Sequence, residues 1–174
     1  MNMNSTIHDL ITRRSIRKYT DQPVGDNELK QILEAGTYAP TGRNIQAPII
    51  VAIRNPEEVK NLSRLNAQVM GTDSDPFYGA PAVLVVLSAA DSRHICYDGS
   101  LVMGNLMNAA HALGLGSCWI HRAKEVFESE EGKALLKKWG IEGEYVGVGN
   151  CILGYPAEQP ETKPRKENYV YYVD

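Results

Sequence analysis

The sequence predicts a single α+β domain in which helices and strands are intermixed. The 174 residues suit one domain, and a hydrophobic content of 43% is enough for a sizeable core. Helical and strand patterns follow one another along the chain. No repeat, low-complexity tract or linker composition marks a boundary, so we expect one domain over residues 1–174.

The first part of the chain predicts two helices separated by an extended segment. Thr6 to Asp9 resembles a capping box, and it opens a short helix that ends near Arg13. Residues 15–19 are expected to be extended. Asp26, as N-cap, opens a second helix that stops around Gly36. The inward face of this helix carries Leu29, Ile32 and Leu33.

Two strands, with a helix between them, are predicted in the middle of the chain. Residues 48–53 are β-branched and predict a buried strand, and residues 82–87 predict a second strand that is apolar on both faces. The stretch 55–58 starts the intervening helix, and residues 71–79 form a polar loop. The inward positions of this helix are Val59, Leu62 and Val69.

A helix over Leu101 to Leu113 is apolar nearly all round, which predicts that it is buried. In a chain of this size such a helix is more easily explained at a subunit interface, so a homodimer is expected. The polar residues on this helix are interpreted as interface groups, with a catalytic role as the less favoured alternative. They are Asn105, Asn108 and His111.

The remainder predicts a short strand through Trp119 and Ile120, a helix around residues 135–139 and a long strand from Tyr145 to Leu153. Residues 168–173 then alternate like a strand that has no hairpin partner. An unpaired strand exposes backbone donors and acceptors, so we expect the tail to extend onto a neighbouring subunit.

Charge and composition exclude several classes of protein. A net charge of −3 argues against nucleic acid as the main partner. The polar residues 1–6 lack a signal core and no apolar run reaches 18 residues, which predicts a cytoplasmic protein without membrane contact. Three cysteines without CxxC spacing are interpreted as reduced thiols.

Other chemistries find little support in the spacing of the residues. A metal site from His94, Cys96, Cys118 and His121 lacks a second ligand pair, so no metal is expected. Cys118 as a nucleophile would need a base, and His121 points to the opposite face of a strand. No GxSxG elbow indicates a hydrolase.

Residues 13–18, with the sequence Arg-Arg-Ser-Ile-Arg-Lys, carry the strongest local signal. In an extended segment Arg13, Ser15 and Arg17 project to one side, and guanidinium groups match phosphate oxygens. The segment is therefore either an anion site or a solvated basic turn.

Three further segments suit a planar, anionic ligand. The loop 40–46 is rich in small and amide-bearing residues, which fit the edge of a heterocycle such as a flavin or else form a plain turn. Residues 114–121 are a glycine-bounded strand that offers backbone N–H groups and an aromatic wall, and residues 163–166 are again basic.

In this order, the four segments resemble the FMN-dependent nitroreductase family over most of the chain, from about Ile7 to Arg165. The resemblance implies a central, mostly antiparallel sheet flanked by helices, in an intertwined homodimer with FMN between the subunits. The residues that it implies at the cofactor are Arg13, Arg14, Ser15, Arg17, Pro40, Thr41, Gly42, Asn44, Gln46, Asn66, Trp119, Ile120, His121, Lys163 and Arg165.

The resemblance also implies a role for each segment. Arg13, with Lys163 and Arg165, would bind the phosphate, and Arg17 would stabilise negative charge at flavin N1 and the C2 carbonyl. The loop 40–46 would come from the opposite subunit, and backbone groups near His121 would meet flavin N5. This sequence departs from the family at Thr41-Gly42, which replaces a commoner serine pair, and at His121, which replaces Gly or Glu.

The implied activity is a ping-pong reaction that passes electrons from NADH or NADPH through FMN to a small organic acceptor, such as a nitroaromatic compound or a quinone. No side chain is expected to act covalently. The alternative is a dimer that binds flavin without turnover, for storage or sensing.

Overall fold

The computed structural model describes residues 3–174, so residues 1 and 2 of the polar N-terminal stretch lie outside it. The described part contains six helices and four strands. The helices are α1 Ser5–Thr12, α2 Asp26–Thr37, α3 Pro56–Met70, α4 Ile95–Ala112, α5 Ala123–Glu128 and α6 Glu130–Lys138. The strands are β1 Pro48–Ile53, β2 Ala82–Ala89, β3 Gly116–Ile120 and β4 Tyr145–Gly154.

The four strands form one antiparallel sheet in the order β1-β2-β4-β3, which confirms the predicted α+β class. At the centre, Val85 of β2 pairs with Val51 of β1 and with Asn150 of β4. On the far side of β4, Asn150 is also opposite Ile120 of β3. Strands β1 and β3 are therefore the two edges of the sheet.

Apolar layers cover both faces of the sheet, because successive side chains of β2 point to opposite faces. Val83, Val85 and Leu87 join one buried cluster. In this cluster they meet residues of α3, α5 and α6, including Leu62, Phe127 and Leu136. Leu84 and Val86 join a second cluster, with residues of α2 and α4 that include Ile32, Met103 and Leu106.

The first two helices start one or two residues before the predicted position, and the third starts as predicted. The side chain of Asn4 accepts hydrogen bonds from the backbone N–H groups of Thr6 and Ile7, so Asn4 and not Thr6 caps α1. Gly25 precedes α2, and Asp26 lies in its first turn. Asn55 caps α3 through the N–H groups of Glu57 and Glu58, at 3.0 and 3.2 Å.

Burial was predicted wrongly for one residue, Val69, and for one strand, β1. Val69 is exposed, because the buried positions of α3 end at Ala67, and Gln68 and Met70 beside it are exposed as well. Strand β1 is mostly half-buried and not fully buried, because it is an edge strand that pairs only with β2. Helix α5 has no counterpart in the sequence predictions.

A single chain leaves a large amount of apolar surface uncovered. In α1 none of the residues is buried, and its three large apolar side chains are each about half exposed: Ile7, Leu10 and Ile11. Helix α4 begins at Ile95, earlier than predicted, and Tyr97 and Leu101 on it are exposed. Exposed apolar faces of this kind mark interaction sites.

The C-terminal tail lies in the open. Residues 159–174 contain no helix or strand, and the side chains of Tyr171 and Val173 are 79% and 97% exposed. None of the helices in residues 3–174 is long and apolar enough to cross a membrane. All three cysteines are free thiols: Cys96 is exposed, and Cys118 and Cys151 are buried.

Candidate functional site

The basic segment after α1 is fixed along the outer edge of β3. Ser15 forms a parallel bridge with Ser117, and the N–H of Ile16 donates to the Ser117 carbonyl at 3.0 Å. Tyr19 then bridges to Pro156, after the end of β4. Residues 13–19 therefore lie beside the edge strand, and the segment is extended as predicted.

The three arginines of this segment differ in what they are free to bind. Arg14 is turned back onto its own chain, where its guanidinium donates to the carbonyls of Ile11 and Arg13 at 2.9 and 2.7 Å. Arg13 is half-buried, and its Nη1 is buried without a hydrogen-bond partner among the described residues. Arg17 is exposed, and its backbone N–H donates to the Glu158 carboxylate at 2.5 Å. The guanidinium groups of Arg13 and Arg17 are thus the ones available to an anionic ligand.

Two buried amides meet at the end of β3. Asn66 of α3 is fully buried, and its Nδ2 donates to the His121 carbonyl at 2.7 Å. Asn150 of β4 is also fully buried, and its Nδ2 donates to the Ile120 carbonyl at 3.5 Å. Both amides leave their Oδ1 buried without a partner in the described part of the chain. Each of these oxygens is a hydrogen-bond acceptor in need of a donor.

Hydrogen bonds to these carbonyls also decide where the neighbouring N–H groups point. In a planar trans peptide the C=O and N–H point in opposite directions. Because the Ile120 and His121 carbonyls point to Asn150 and Asn66, the N–H groups of His121 and Arg122 point away from the two buried amides. Arg122 holds this turn with a positive φ of 74°.

The other predicted residues at the end of β3 have mixed environments. Ile120 is buried, and the side chain of His121 is exposed. Trp119 is half-buried and packs with the α4 cluster, where a Cβ at Gly149 would lie 2.6 Å from the indole Nε1. Trp119 therefore serves as a packing residue in the single chain.

The amide-rich loop 40–46 contains a 3-10 turn, Gly42–Asn44, and is held by its own side chains and by α4. The backbone N–H of Gly42 donates to both carboxylate oxygens of Asp98, at 3.1 and 3.2 Å. The N–H of Gln46 donates to Thr41 Oγ1 at 3.1 Å, and its Nε2 donates to Asn44 Oδ1 at 3.2 Å. Arg43, Asn44 and Gln46 have positive φ angles. Pro40 is exposed at the start of this loop.

One chain keeps the loop and the basic segment apart. The loop 40–46 leads into β1, whereas residues 13–17 lie along β3 at the opposite edge of the sheet. Three strand spacings separate these edges, roughly 14 Å. Lys163 and Arg165 lie on the exposed tail, where Arg165 donates to the Lys163 carbonyl at 2.7 Å.

Two cavities lie near these segments. One, of about 370 Å³, lies between α2 and β1 and includes Thr41 and Gln46 in its wall. The other, of about 930 Å³, lies between α3, the segment 20–23 and the loop 72–81. Phe77 and Gly79 line the larger cavity, but Tyr78 between them does not.

The pKa shifts of Tyr19, Cys151 and His111 come mainly from burial. Burial raises the pKa of Tyr19, whose hydroxyl donates to the Ile16 carbonyl at 2.6 Å. Burial raises the pKa of the Cys151 thiol to about 12 and lowers the pKa of His111. In residues 3–174 no three His, Cys, Asp or Glu side chains cluster closely enough to hold a metal ion.

Sequence reasoning missed two residues that shape the site. Asn150 is an amide within the otherwise apolar strand β4, and that contrast was a usable signal. Asp98 is a buried acid at the start of the apolar helix α4, but the predicted start at Leu101 placed it outside that helix.

Comparison with known proteins gives consistent matches. The chain matches the family model described as the nitroreductase family over residues 10–75 and 68–155. It is 30% identical over 165 residues to an Archaeoglobus fulgidus protein that is provisionally named NADH dehydrogenase/NAD(P)H nitroreductase, covering 91% of this chain and 90% of that protein. A nitroreductase from Bacteroides fragilis, solved with bound FMN, shares the fold with a TM-score of 0.91 at 24% identity, covering 99% of this chain and 100% of the other. An FMN-dependent nitroreductase from Clostridium difficile has a TM-score of 0.79 at 26% identity, with 98% of each chain covered.

Proposed function

Since the chain belongs to the nitroreductase family, we propose that it is an FMN-dependent oxidoreductase that passes electrons from NADH or NADPH to an organic acceptor. The whole chain, residues 1–174, would form one FMN-binding domain that acts in the cytoplasm. The acceptor would be a small molecule such as a nitroaromatic compound or a quinone.

The proposal is supported most directly by Asn66 Oδ1, which is buried and has no hydrogen-bond partner among residues 3–174. An unpaired buried acceptor costs about 1–3 kcal/mol, so its presence favours a ligand that supplies a donor. The pyrimidine edge of a flavin has an N–H between two carbonyls, which suits an amide oxygen. The unpaired Nη1 of Arg13 independently suits the FMN phosphate, because guanidinium groups bind phosphate oxygens strongly.

FMN, when bound, supplies a ring that accepts hydride at N5 from a nicotinamide and passes the electrons on to an acceptor. The N–H groups of His121 and Arg122, which the two buried amides orient, would face this ring. Arg17 would hold a positive charge at the opposite edge, where it favours the reduced cofactor. Lys163 and Arg165 would join Arg13 at the phosphate.

The proposed reaction is a ping-pong sequence. NADH or NADPH binds first and leaves oxidised, and the acceptor then occupies the same space. The chain positions the reactants and orients donor groups, and no side chain forms a covalent bond.

We propose a homodimer in which each site is built from two chains. The loop 40–46 lies at the sheet edge opposite the basic segment, so the two do not meet in one chain, and a second copy would bring its own loop to the basic segment. The uncovered apolar side chains of α1, the exposed residues of α4 and the open edge of β1 offer a surface for this copy. The tail 168–173 would extend onto the partner, where its backbone groups would find donors and acceptors.

The experiment that tests this function is anaerobic reduction of the purified protein. We expect yellow protein with FMN absorbance that NADH or NADPH bleaches under argon and that a quinone or nitroaromatic compound restores. Bound FMN that neither nucleotide bleaches would favour flavin storage or sensing. Protein that does not bind added FMN would contradict the flavin site itself.

A further inference from the structure

The loop 71–79, which follows α3, is firmly anchored to the body of the protein. Asp75 Oδ1 accepts hydrogen bonds from the Ser63 hydroxyl of α3 and from the Phe77 N–H, the latter at 2.9 Å. Asp75 Oδ2 accepts from the Gly79 N–H at 2.6 Å. Phe77 is 1% exposed and belongs to the apolar cluster beneath the loop. The conformation of the loop tip is therefore set by one carboxylate and one buried ring.

This anchoring turns Tyr78 outward. Tyr78 has a φ of 54°, an uncommon conformation for a bulky side chain, and its side chain is 45% exposed between the buried Phe77 and Gly79. A conformation of this kind is energetically unfavourable and persists where the surroundings enforce it, commonly at functional sites.

The outward ring meets the proposed flavin site at Arg17. The guanidinium carbon of Arg17 lies 6.0 Å from the centroid of the Tyr78 ring, at the outer limit of a cation–π contact. Arg17 is the cation that the proposed function places beside the flavin ring. The loop therefore holds an exposed aromatic face next to the space that the nicotinamide and the acceptor would share.

We propose that Tyr78 determines acceptor specificity, by giving planar aromatic acceptors a ring on which to stack. This inference rests on the proposed function. Aromatic pairs gain stabilisation beyond the area that they bury, whereas a compact inorganic acceptor such as ferricyanide has no ring to stack. Acceptors with a quinone or nitroaromatic ring would therefore bind more tightly than acceptors that have no ring to stack.

The test uses two variants of the full-length holoprotein. Tyr78→Asn removes the ring and keeps a residue that tolerates positive φ, and Tyr78→Phe keeps the ring without the hydroxyl. Steady-state kinetics at saturating NADPH or NADH would compare a quinone with ferricyanide, and thermal unfolding would check that both variants fold.

For Tyr78→Asn we expect the KM for the quinone to rise about 2- to 10-fold, with the KM for ferricyanide unchanged and with FMN still bound. Tyr78→Phe should keep the wild-type KM for the quinone. An unchanged quinone KM in Tyr78→Asn, or equal changes for both acceptors, would overturn the proposal. Failure of the proposed function would give a different result, because neither nucleotide would then reduce the flavin of the wild-type protein.

Discussion

Replacing Asn66 by Ala tests whether this residue contacts the flavin or serves only in core packing. In the structure the Asn66 amide donates to the His121 carbonyl at 2.7 Å, and its Oδ1 is buried without a partner in the described part of the chain. The variant loses the first bond, so we expect about 1–3 kcal/mol less stability. FMN binding would no longer satisfy an unpaired acceptor, so the affinity for FMN should fall by roughly 5- to 100-fold.

The matched control is Asn105→Ala. Asn105 of α4 also donates through Nδ2 to a backbone carbonyl, that of Ala35 at 2.9 Å, and this bond joins α4 to α2 and not to the end of β3. Urea unfolding should show a loss of stability in both variants, and fluorescence titration should show weakened FMN binding only in Asn66→Ala. If both variants lost stability and both kept the wild-type affinity for FMN, Asn66 would be a core residue without a role at the cofactor.

Three further predictions concern Arg17, His111 and the C-terminal tail. Arg17→Ala should fold normally, because the side chain is exposed, and a titration should show about 10- to 100-fold weaker FMN binding. If the affinity for FMN and the reduction potential of the flavin were both unchanged, Arg17 would not belong to the site. Burial lowers the pKa of His111, so the unfolded chain holds the proton more tightly, and stability should fall as the pH drops below about 6.5. Urea unfolding at pH 7.5 and 5.5 should show a smaller drop for His111→Gln than for the wild type, and an equal drop would rule out this contribution. A chain that ends at Glu167 should dimerise more weakly in light scattering, and an undisturbed truncated dimer would contradict tail exchange.

The sheet was the most predictable part of the fold. The bounds of β1 follow directly from its β-branched run, and β2 and β4 each end within two residues of the prediction. The helix starts were less predictable, because several residues can serve as a cap and the choice depends on local geometry, as at Asn4 and Gly25. Burial of β1 was overestimated, since sequence composition does not indicate which strand lies at an edge.

The sequence predicted which segments form the candidate site but not how these segments are placed in space. Residue types alone singled out the basic segment and the amide loop, because guanidinium and amide groups have distinctive binding chemistry. Their placement at opposite sheet edges depends on strand order, which no local pattern specifies. Asp98 and Tyr78 contact residues that are distant in the sequence, Gly42 and Arg17, so neither stood out in the sequence.

In the proposed dimer, one chain supplies the phosphate and N5 side of each site and its partner supplies the loop 40–46. Two variants of the chain test this directly when they are co-expressed with different tags and purified as a heterodimer. One carries Arg13→Ala and the other carries Asn44→Ala with Gln46→Ala, and each homodimer alone should have lost most of its FMN. In the heterodimer one site contains both defects and the other contains neither, so we expect about one tightly bound FMN per two chains. A heterodimer with no more FMN than the two homodimers would contradict a site shared between subunits.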